Sequence, residues 1–183
     1  KQFIERLLST YMDLGISGKT ALVSASSAGL GFASALALAE AGCKTVISGR
    51  NEERLMHAAS KIPNSIPVIA DVSTVKGSQA LVQDAKSQLG TNIDILITNA
   101  GGPPTGTFAS TDVDQYLTAI ELNLMSVVAM CKETVPDMQE KKWGRVLAIT
   151  SISVRQPIPN IMLSNTARAG VTGFLKTMAL ETA

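Results

Sequence analysis

The sequence predicts an α/β fold built on one doubly wound parallel sheet, and two observations support that prediction. Short apolar runs alternate with helical patterns five times from Thr20 onward. These runs are continuous stretches rich in Val, Ile and Leu, which is what strands covered by helices on both faces require. Right-handed crossovers between such strands give the doubly wound order, and 183 residues are enough for a single domain with one core.

The first two strands are each followed by a turn and a helix. Residues 21–24 predict a strand, and a glycine-containing turn leads from it into a helix over 31–41 that is rich in Ala and Leu. Residues 45–48 predict the second strand, before a helix over 52–61. Asn51 precedes Glu52 and Glu53, so we expect an Asx N-cap with acids placed favourably toward the helix dipole.

Three further strand and helix pairs complete the pattern. Residues 66–70 predict the third strand, and residues 74–89 predict its helix. Residues 93–98 predict the fourth strand, before a long helix that starts near Asp112, and residues 146–150 predict the fifth, before a helix that starts near Asn160. The sequence ends within this last helical pattern, so C-terminal strands of the sheet are expected to be missing.

Residues 1–17 predict an N-terminal amphipathic extension that precedes a domain formed by residues 18–183. The apolar residues of the extension recur at helical spacing and would pack on the body or on a partner subunit. These residues are Ile4, Leu7, Leu8 and Tyr11. Glu5 and Arg6 interrupt the apolar run, which argues against a signal peptide.

Composition excludes several classes of function. The net charge is +1 and no basic run occurs, so a nucleic-acid partner is not expected and the ligand should be a small molecule. No stretch approaches the ~18 apolar residues of a membrane span. Cys43 and Cys131 are far apart and are interpreted as buried thiols in a reducing cytoplasm. The single histidine, His57, has no neighbours at ligand spacing, so no metal site is predicted.

The turn after the first strand has the composition of a phosphate-binding loop. It reads Ser24-Ala25-Ser26-Ser27-Ala28-Gly29-Leu30-Gly31 and leads into a helix. Glycines let backbone N–H groups approach a pyrophosphate, and the helix N-terminus favours its negative charge. Ser24, Ser26, Gly29, Leu30 and Gly31 are therefore candidate cofactor-binding residues. The alternative is a tight strand-to-helix turn without a ligand.

The end of the second strand bears on which dinucleotide would bind. The sequence there is Ser48-Gly49-Arg50-Asn51, without the acid that would bind the ribose hydroxyls of NAD. Arg50 instead suits the 2′-phosphate of NADP, because a guanidinium forms charge-assisted hydrogen bonds with phosphate. We therefore expect NADP(H) to be preferred to NAD(H). The alternative is that Arg50 is an ordinary surface residue before a helix.

These features resemble the short-chain dehydrogenase/reductase family, whose turn is Thr-Gly-x-x-x-Gly-x-Gly. Ser24, Gly29 and Gly31 match this pattern. Ala25 replaces the first glycine, and its methyl group is expected to crowd the turn or alter its backbone angles, which would weaken cofactor binding.

Two more motifs add to the resemblance. Asp71-Val72 is similar to the family's Asp-Val, which implies a position near the adenine ring, although Asp71 could equally cap the helix that begins near Thr74. Asn99-Ala100-Gly101 matches the family's Asn-Ala-Gly, which lies beside the adenosine ribose. We expect the Asn99 amide to bond backbone groups at the sheet edge.

The resemblance also assigns the catalytic positions. Asn123 matches the asparagine that holds a water in the family's proton relay, unless it only bonds neighbouring helix backbone. Ser151 matches the serine that hydrogen-bonds the substrate carbonyl. Ser164 stands at the tyrosine position and Arg168 at the lysine position. A serine hydroxyl is a far weaker acid than a phenol, and arginine stays protonated; Arg168 could still hold the ribose hydroxyls.

Two hypotheses of function follow from this altered pair. The first is an NAD(P)-dependent oxidoreductase, similar to the 3-oxoacyl carrier-protein reductase branch, that acts on a carbonyl or hydroxyl substrate with another proton donor, such as a water ordered by Ser151 and Ser164. The second is a catalytically inactive nucleotide-binding or scaffold member, because fold alone does not imply activity. A methyltransferase is disfavoured because the acid after the second strand is absent.

Substrate and assembly are less clearly indicated by the sequence. Loops 101–106 and 156–159, rich in Pro and Gly, follow strand C-termini and are expected to shape the substrate pocket. The resemblance implies a homodimer or homotetramer in which helices 112–133 and 160–179 form a four-helix contact. The apolar residues expected to supply this contact are Leu117, Ile120, Leu124, Val127, Val128 and Met130.

Overall fold

The five predicted strands form one sheet in which every neighbouring pair is parallel. The computed structural model describes residues 14–182, so the predicted helix in the N-terminal extension lies outside the described residues. The strand order is β3-β2-β1-β4-β5, which confirms the predicted doubly wound sheet. The strands are β1 (Thr20–Val23), β2 (Lys44–Gly49), β3 (Ile66–Ile69), β4 (Ile95–Thr98) and β5 (Arg145–Ala148).

Helices follow the strands as predicted, with one interruption. The predicted helix from Asp112 is divided in two by a π-helical turn at Glu121–Met125, and a 3-10 turn at Ile152–Val154 precedes the last helix. The helices are α1 (Gly29–Glu40), α2 (Glu52–Ala59), α3 (Val75–Leu89), α4 (Val113–Ile120), α5 (Ser126–Glu140) and α6 (Met162–Thr182). A π turn inside a helix often marks a functional position, and this one contains Asn123.

The helix caps decide between two sequence interpretations. The Asn51 side chain accepts a hydrogen bond from the Arg54 N–H at 2.8 Å, which confirms the predicted N-cap of α2. Helix α3 is capped by Thr74, whose hydroxyl accepts from the Gly77 N–H at 3.0 Å. Asp71 instead accepts from the Ser73 N–H at 3.0 Å, so its side chain stabilises the turn before the helix.

The core lies on both faces of the sheet because successive strand residues point to opposite sides. One face buries residues of three central strands against α3 and α5, and the other buries their sequence neighbours against α1 and α2. Leu22, Val46 and Leu96 belong to the first face, and Val23 and Ile47 belong to the second. The carboxyl ends of β1, β2, β3 and β4 are thereby held side by side.

The two cysteines are free and buried, as the sequence predicts. Burial raises the pKa of Cys131 to about 12. Burial, with the nearby charge of Asp94, also raises the pKa of Cys43. Both thiols are therefore protonated at neutral pH and act as small apolar groups.

Residues 14–182 contain neither a candidate membrane span nor a candidate metal cluster. None of the helices there is both long and apolar enough to cross a membrane. Within the same residues, His, Cys, Asp and Glu side chains do not gather in groups of three or more that could hold a metal ion.

Candidate functional site

The turn between β1 and α1 is tied to the end of β4 by hydrogen bonds. The Ser24 hydroxyl donates to the Asn99 carbonyl at 2.6 Å and accepts from the Asn99 N–H at 2.7 Å. The Asn99 side-chain amide donates to the Ala25 carbonyl at 2.9 Å, as expected for an amide that serves the sheet edge. Ser24 and Asn99 therefore hold the turn in place, and the Ser24 side chain is fully buried.

Ser26 differs from the other candidate cofactor residues in its surroundings. Its hydroxyl donates to the Val23 carbonyl at 2.7 Å and accepts from the Ser48 N–H at 2.9 Å. Its own N–H donates to the Ser48 carbonyl at 2.7 Å, and the residue is fully buried. Ser26 thus joins the turn to β2, and its polar groups point into the protein.

The backbone groups that remain for a ligand lie one turn further on. The N–H groups of Gly29, Leu30 and Gly31 open α1, where a helix has no acceptors of its own for them. Gly29 has a φ of +60° with nothing within 4 Å of an added Cβ, so glycine is favoured there by conformation alone. Leu30 is 69% exposed at this helix end. The arrangement suits an anion.

Two small residues set the shape of the turn. Ala25 has a φ of +46°, in the left-handed region that costs an alanine ~1–2 kcal/mol. The turn therefore has a conformation at Ala25 that a glycine would adopt without this strain. A Cβ at Gly31 would lie 2.7 Å from both the Ala25 carbonyl oxygen and the Asn99 Nδ2, so α1 approaches the turn as closely as a glycine permits.

A groove of about 500 Å³ opens beside this turn, over the carboxyl ends of the strands. Most of the predicted cofactor-binding residues line it together: Gly29, Arg50, Asp71, Val72, Asn99, Ala100 and Gly101. The lining also includes Ser27, Asn51, Arg54 and Leu122, which sequence reasoning missed. Arg54 follows Arg50 by four residues at a helix start, and that spacing was a usable signal; Leu122 comes from the π turn and carries no local signal.

The groove has a defined charge pattern. The hydrogen bond from the Ser73 backbone N–H lowers the pKa of Asp71; burial opposes this, while the Ser73 side chain and the charge of Arg50 reinforce it. Asp71 is therefore ionised at neutral pH. It lies in the segment between the end of β3 and the start of α3. Arg50 and Arg54 supply two positive charges to the same groove.

Asn123 occupies the π turn and is almost fully buried. Its side-chain amide donates to the Gly101 carbonyl at 2.8 Å, so it bonds a distant loop and not its own helix. Its Oδ1 is buried without a hydrogen-bond partner among the described residues. A cavity of about 10 Å³ lies beside it and is also lined by Thr150 and Arg168. This is close to the smallest space that holds one water.

Arg168 projects from α6 onto the end of β5. Its Nη1 donates to the Ile149 carbonyl at 2.8 Å and to the Thr150 carbonyl at 3.4 Å. Burial lowers the pKa of Arg168, but a guanidinium starts from so high a value that it keeps its proton. These hydrogen bonds make Arg168 a link between α6 and the segment just after β5, in addition to any ribose contact that the resemblance implies.

Ser151 precedes the 3-10 turn and Ser164 lies in α6, two elements that pack together. The Ser151 hydroxyl accepts from the Ser153 N–H at 3.1 Å, which leaves its proton available to a ligand. Ser164 lies in the first turn of α6 and is partly exposed. No carboxylate or imidazole bonds either hydroxyl within residues 14–182, so neither serine has a base to activate it.

Main-chain hydrogen bonds connect the first loop predicted to shape the pocket to the residues that follow the second. The Gly106 N–H donates to the Asn160 carbonyl at 2.8 Å, and the Met162 N–H donates to the Gly106 carbonyl at 3.3 Å. The Asn165 side chain adds a bond to the Ile158 carbonyl at 2.8 Å. Sequence reasoning missed Asn165, although an asparagine directly after the substituted tyrosine position was a visible signal.

The geometry agrees with what known proteins show. Residues 19–183 match the short chain dehydrogenase family. Dehydrogenase/reductase SDR family member 4 of Homo sapiens is 29% identical over 173 residues, which are 92% of this chain and 62% of that protein. The chain thus spans less than two thirds of this relative's length.

Solved structures match the fold closely. L-sorbose reductase from Gluconobacter frateurii, complexed with NADPH and L-sorbose, superposes with a TM-score of 0.87 at 32% identity, over 93% of this chain and 66% of that one. A 7α-hydroxysteroid dehydrogenase complexed with NADH superposes with a TM-score of 0.85 at 27% identity, over 91% of this chain and 66% of that one. Sheet order, turn and sequence match together establish that the chain belongs to the short-chain dehydrogenase/reductase family.

Proposed function

We propose that this protein is an NADP(H)-dependent oxidoreductase that acts on a carbonyl or hydroxyl substrate with a non-standard proton donor. The observation that carries the proposal is the groove at the carboxyl edge of the sheet. There Gly29, the first residue of α1, lines the groove with Arg50, Asp71 and the Asn99-Ala100-Gly101 triplet. We propose that these groups, with Val72 and the Arg168 guanidinium, hold the dinucleotide.

The nicotinamide ring, when bound, supplies or accepts a hydride. The chain's own contribution is to orient the substrate oxygen and to deliver its proton. The Ser151 hydroxyl would donate a hydrogen bond to that oxygen. Because serine is too weak an acid to protonate the oxygen, the proton would come from a water held by Ser164, and the hydroxide left behind would take a proton from solvent. Asn123 with its adjoining cavity would hold a second water. Arg168 remains charged and does not shuttle protons.

Arg50→Ala is expected to weaken NADP(H) binding by ~1.5–3 kcal/mol and to leave NAD(H) binding nearly unchanged, because only NADP(H) carries the 2′-phosphate. Calorimetric titration of both cofactors measures the difference. Arg145→Ala is the matched control, since Arg145 lies at the amino end of β5, away from the groove. Equal losses for both cofactors, or no binding of either to the unaltered protein, would contradict the assignment.

A second candidate function is supported by the Arg168 contacts. A guanidinium bonded to two carbonyls just after β5 and a serine at the tyrosine position are compatible with a nucleotide-binding or scaffold protein without turnover. Oxidation of NADPH is the discriminating measurement, with a panel of activated ketones and 3-oxoacyl thioesters. NADPH binding without turnover on the whole panel would favour the non-catalytic function.

We also propose a homodimer or homotetramer, together with the division into residues 1–17 and 18–183. Val113 and Leu117 of α4 are 77% and 64% exposed, and they form an apolar patch beside α6. Two of the residues first expected to supply this contact do not: Val127 and Met130 are buried within the chain's own core. A cytoplasmic location is supported by the two free thiols.

Light scattering at micromolar concentration is expected to give the mass of a dimer or tetramer. Leu117→Asp should shift the mass toward the monomer, because a charge in an apolar interface loses its hydration. Leu180→Asp is the matched control, since Leu180 is similarly exposed near the far end of α6. A monomer for the unaltered protein would overturn the proposed assembly.

A further inference from the structure

Arg54 lies in the first turn of α2 and lines the same groove as Arg50. Its position is fixed by the helix cap, because its backbone N–H donates to the Asn51 side chain at 2.8 Å. Arg50 is the residue directly before that cap. The helix start therefore presents two guanidinium groups, four residues apart, to one opening.

Neither guanidinium forms a salt bridge in the part of the chain that the structure describes. Within residues 14–182, no hydrogen bond or ion pair involves the side chain of Arg50 or of Arg54. Asp71, the acid of the groove, already accepts a hydrogen bond from Ser73 and is influenced by Arg50 only through space. Glu52 and Glu53 also lie in the first turn of α2, but they are exposed and do not line the groove.

Two unpaired positive charges in one groove repel each other and stabilise an anion that contacts both. A phosphate monoester carries nearly two negative charges at neutral pH and offers three acceptor oxygens. A guanidinium presents paired donors to such oxygens. The pair is thus matched to a phosphate monoester better than to the uncharged hydroxyl that stands at the same ribose position in NAD(H).

We propose that Arg54 binds the 2′-phosphate of NADP(H) together with Arg50 and is a second determinant of cofactor selectivity. This inference rests on the proposed function, since it requires a dinucleotide in the groove. It adds a residue that the family resemblance did not indicate, and it predicts that removing Arg50 alone leaves part of the preference for NADP(H) intact.

The test compares adenosine 2′,5′-bisphosphate with adenosine 5′-monophosphate, which differ only in the 2′-phosphate. Calorimetry with the unaltered chain, Arg54→Ala, Arg54→Lys, Arg50→Ala and the double alanine variant gives the affinity for each probe. Arg145→Ala is the control for loss of a surface charge, and circular dichroism verifies that every variant is folded.

Arg54→Ala should weaken the bisphosphate by about tenfold to a hundredfold and change the monophosphate by less than about twofold. Arg54→Lys should recover part of the loss, because it keeps the charge without the paired donors. The double variant should bind both probes equally. An Arg54→Ala variant that binds the bisphosphate as tightly as the unaltered chain overturns the inference while the proposed function stands. Failure of the unaltered chain to bind either probe overturns both.

Discussion

Ser164→Tyr combined with Arg168→Lys is expected to raise NADPH-dependent carbonyl reduction by roughly 10²–10⁴-fold, the range that general acid catalysis contributes. Residues four apart on a helix lie on one face, so the new ammonium would adjoin the new phenol and lower its pKa. Ser164 is partly exposed, and within residues 14–182 its side chain makes no hydrogen bond. The ring therefore replaces no side-chain hydrogen bond.

The single variants should be less active than the pair. Ser164→Tyr alone places a phenol near Arg168, whose guanidinium is already bonded to the Ile149 and Thr150 carbonyls. Arg168→Lys alone supplies no proton donor, and it exchanges those bonds for an ammonium that reaches fewer acceptors. We expect the effects to be non-additive, because the two groups act as one unit.

The assay is NADPH oxidation with the ketone and thioester panel, using all four combinations at these two positions. Thr166→Tyr is the matched control, since it adds the same ring to an exposed position of α6 two residues away. Turnover that rises equally in the control would mean that the phenol does not act at the predicted position. Brisk turnover of the unaltered protein that survives Ser151→Ala would mean that the chemistry occurs elsewhere.

Gly31→Ala is expected to destabilise the protein by about 1–3 kcal/mol, the usual cost of overpacking, and to abolish NADPH binding. The added methyl group would lie 2.7 Å from the Ala25 carbonyl oxygen and from Asn99 Nδ2. Neither atom can move away easily. The carbonyl oxygen belongs to the backbone, and Asn99 Nδ2 is held by its hydrogen bond to that same carbonyl. Helix α1 must therefore move away from the turn, which displaces the N–H groups proposed to bind the pyrophosphate.

Urea denaturation and calorimetric titration with NADPH measure these two effects. Gly173→Ala is the matched control, because Gly173 lies inside α6 with nothing within 4 Å of an added Cβ. That change should leave binding intact and stabilise the helix by up to ~1 kcal/mol. A Gly31→Ala variant with unchanged stability and affinity would show that α1 does not depend on this close approach.

The sheet was predictable because its signals are local and repeated. Each strand is a short apolar run, and the predicted cap at Asn51 follows from a side chain three residues from the N–H group that it bonds. Most residues of the candidate site were predictable from the sequence, but what each side chain bonds was predictable only in part. Ser26 has the residue type of a phosphate ligand, yet its hydroxyl bonds β1 and β2. That difference depends on strand pairing, which composition does not specify.

Longer-range contacts explain the rest of what sequence reasoning missed. Leu122 reaches the groove because the chain forms a π turn there, and Asn123 bonds Gly101 across 22 residues of chain. The hydrogen bonds from Arg168 to the Ile149 and Thr150 carbonyls, just after β5, are of the same long-range kind. Carbonyl groups are present at every residue, so a sequence does not indicate which of them a guanidinium will bond.

The bridge between Gly106 and the start of α6 has a consequence for how substrate preference can diverge. Its hydrogen bonds join main-chain atoms only, so they persist through side-chain replacements in the two loops, except proline at position 162 and any replacement of Gly106, where an added Cβ would meet the Thr111 hydroxyl. The spacing between the two pocket loops is thus independent of the residues they display. Mutation can alter the chemical lining of the pocket while its width stays constant, which separates the evolution of selectivity from the maintenance of shape.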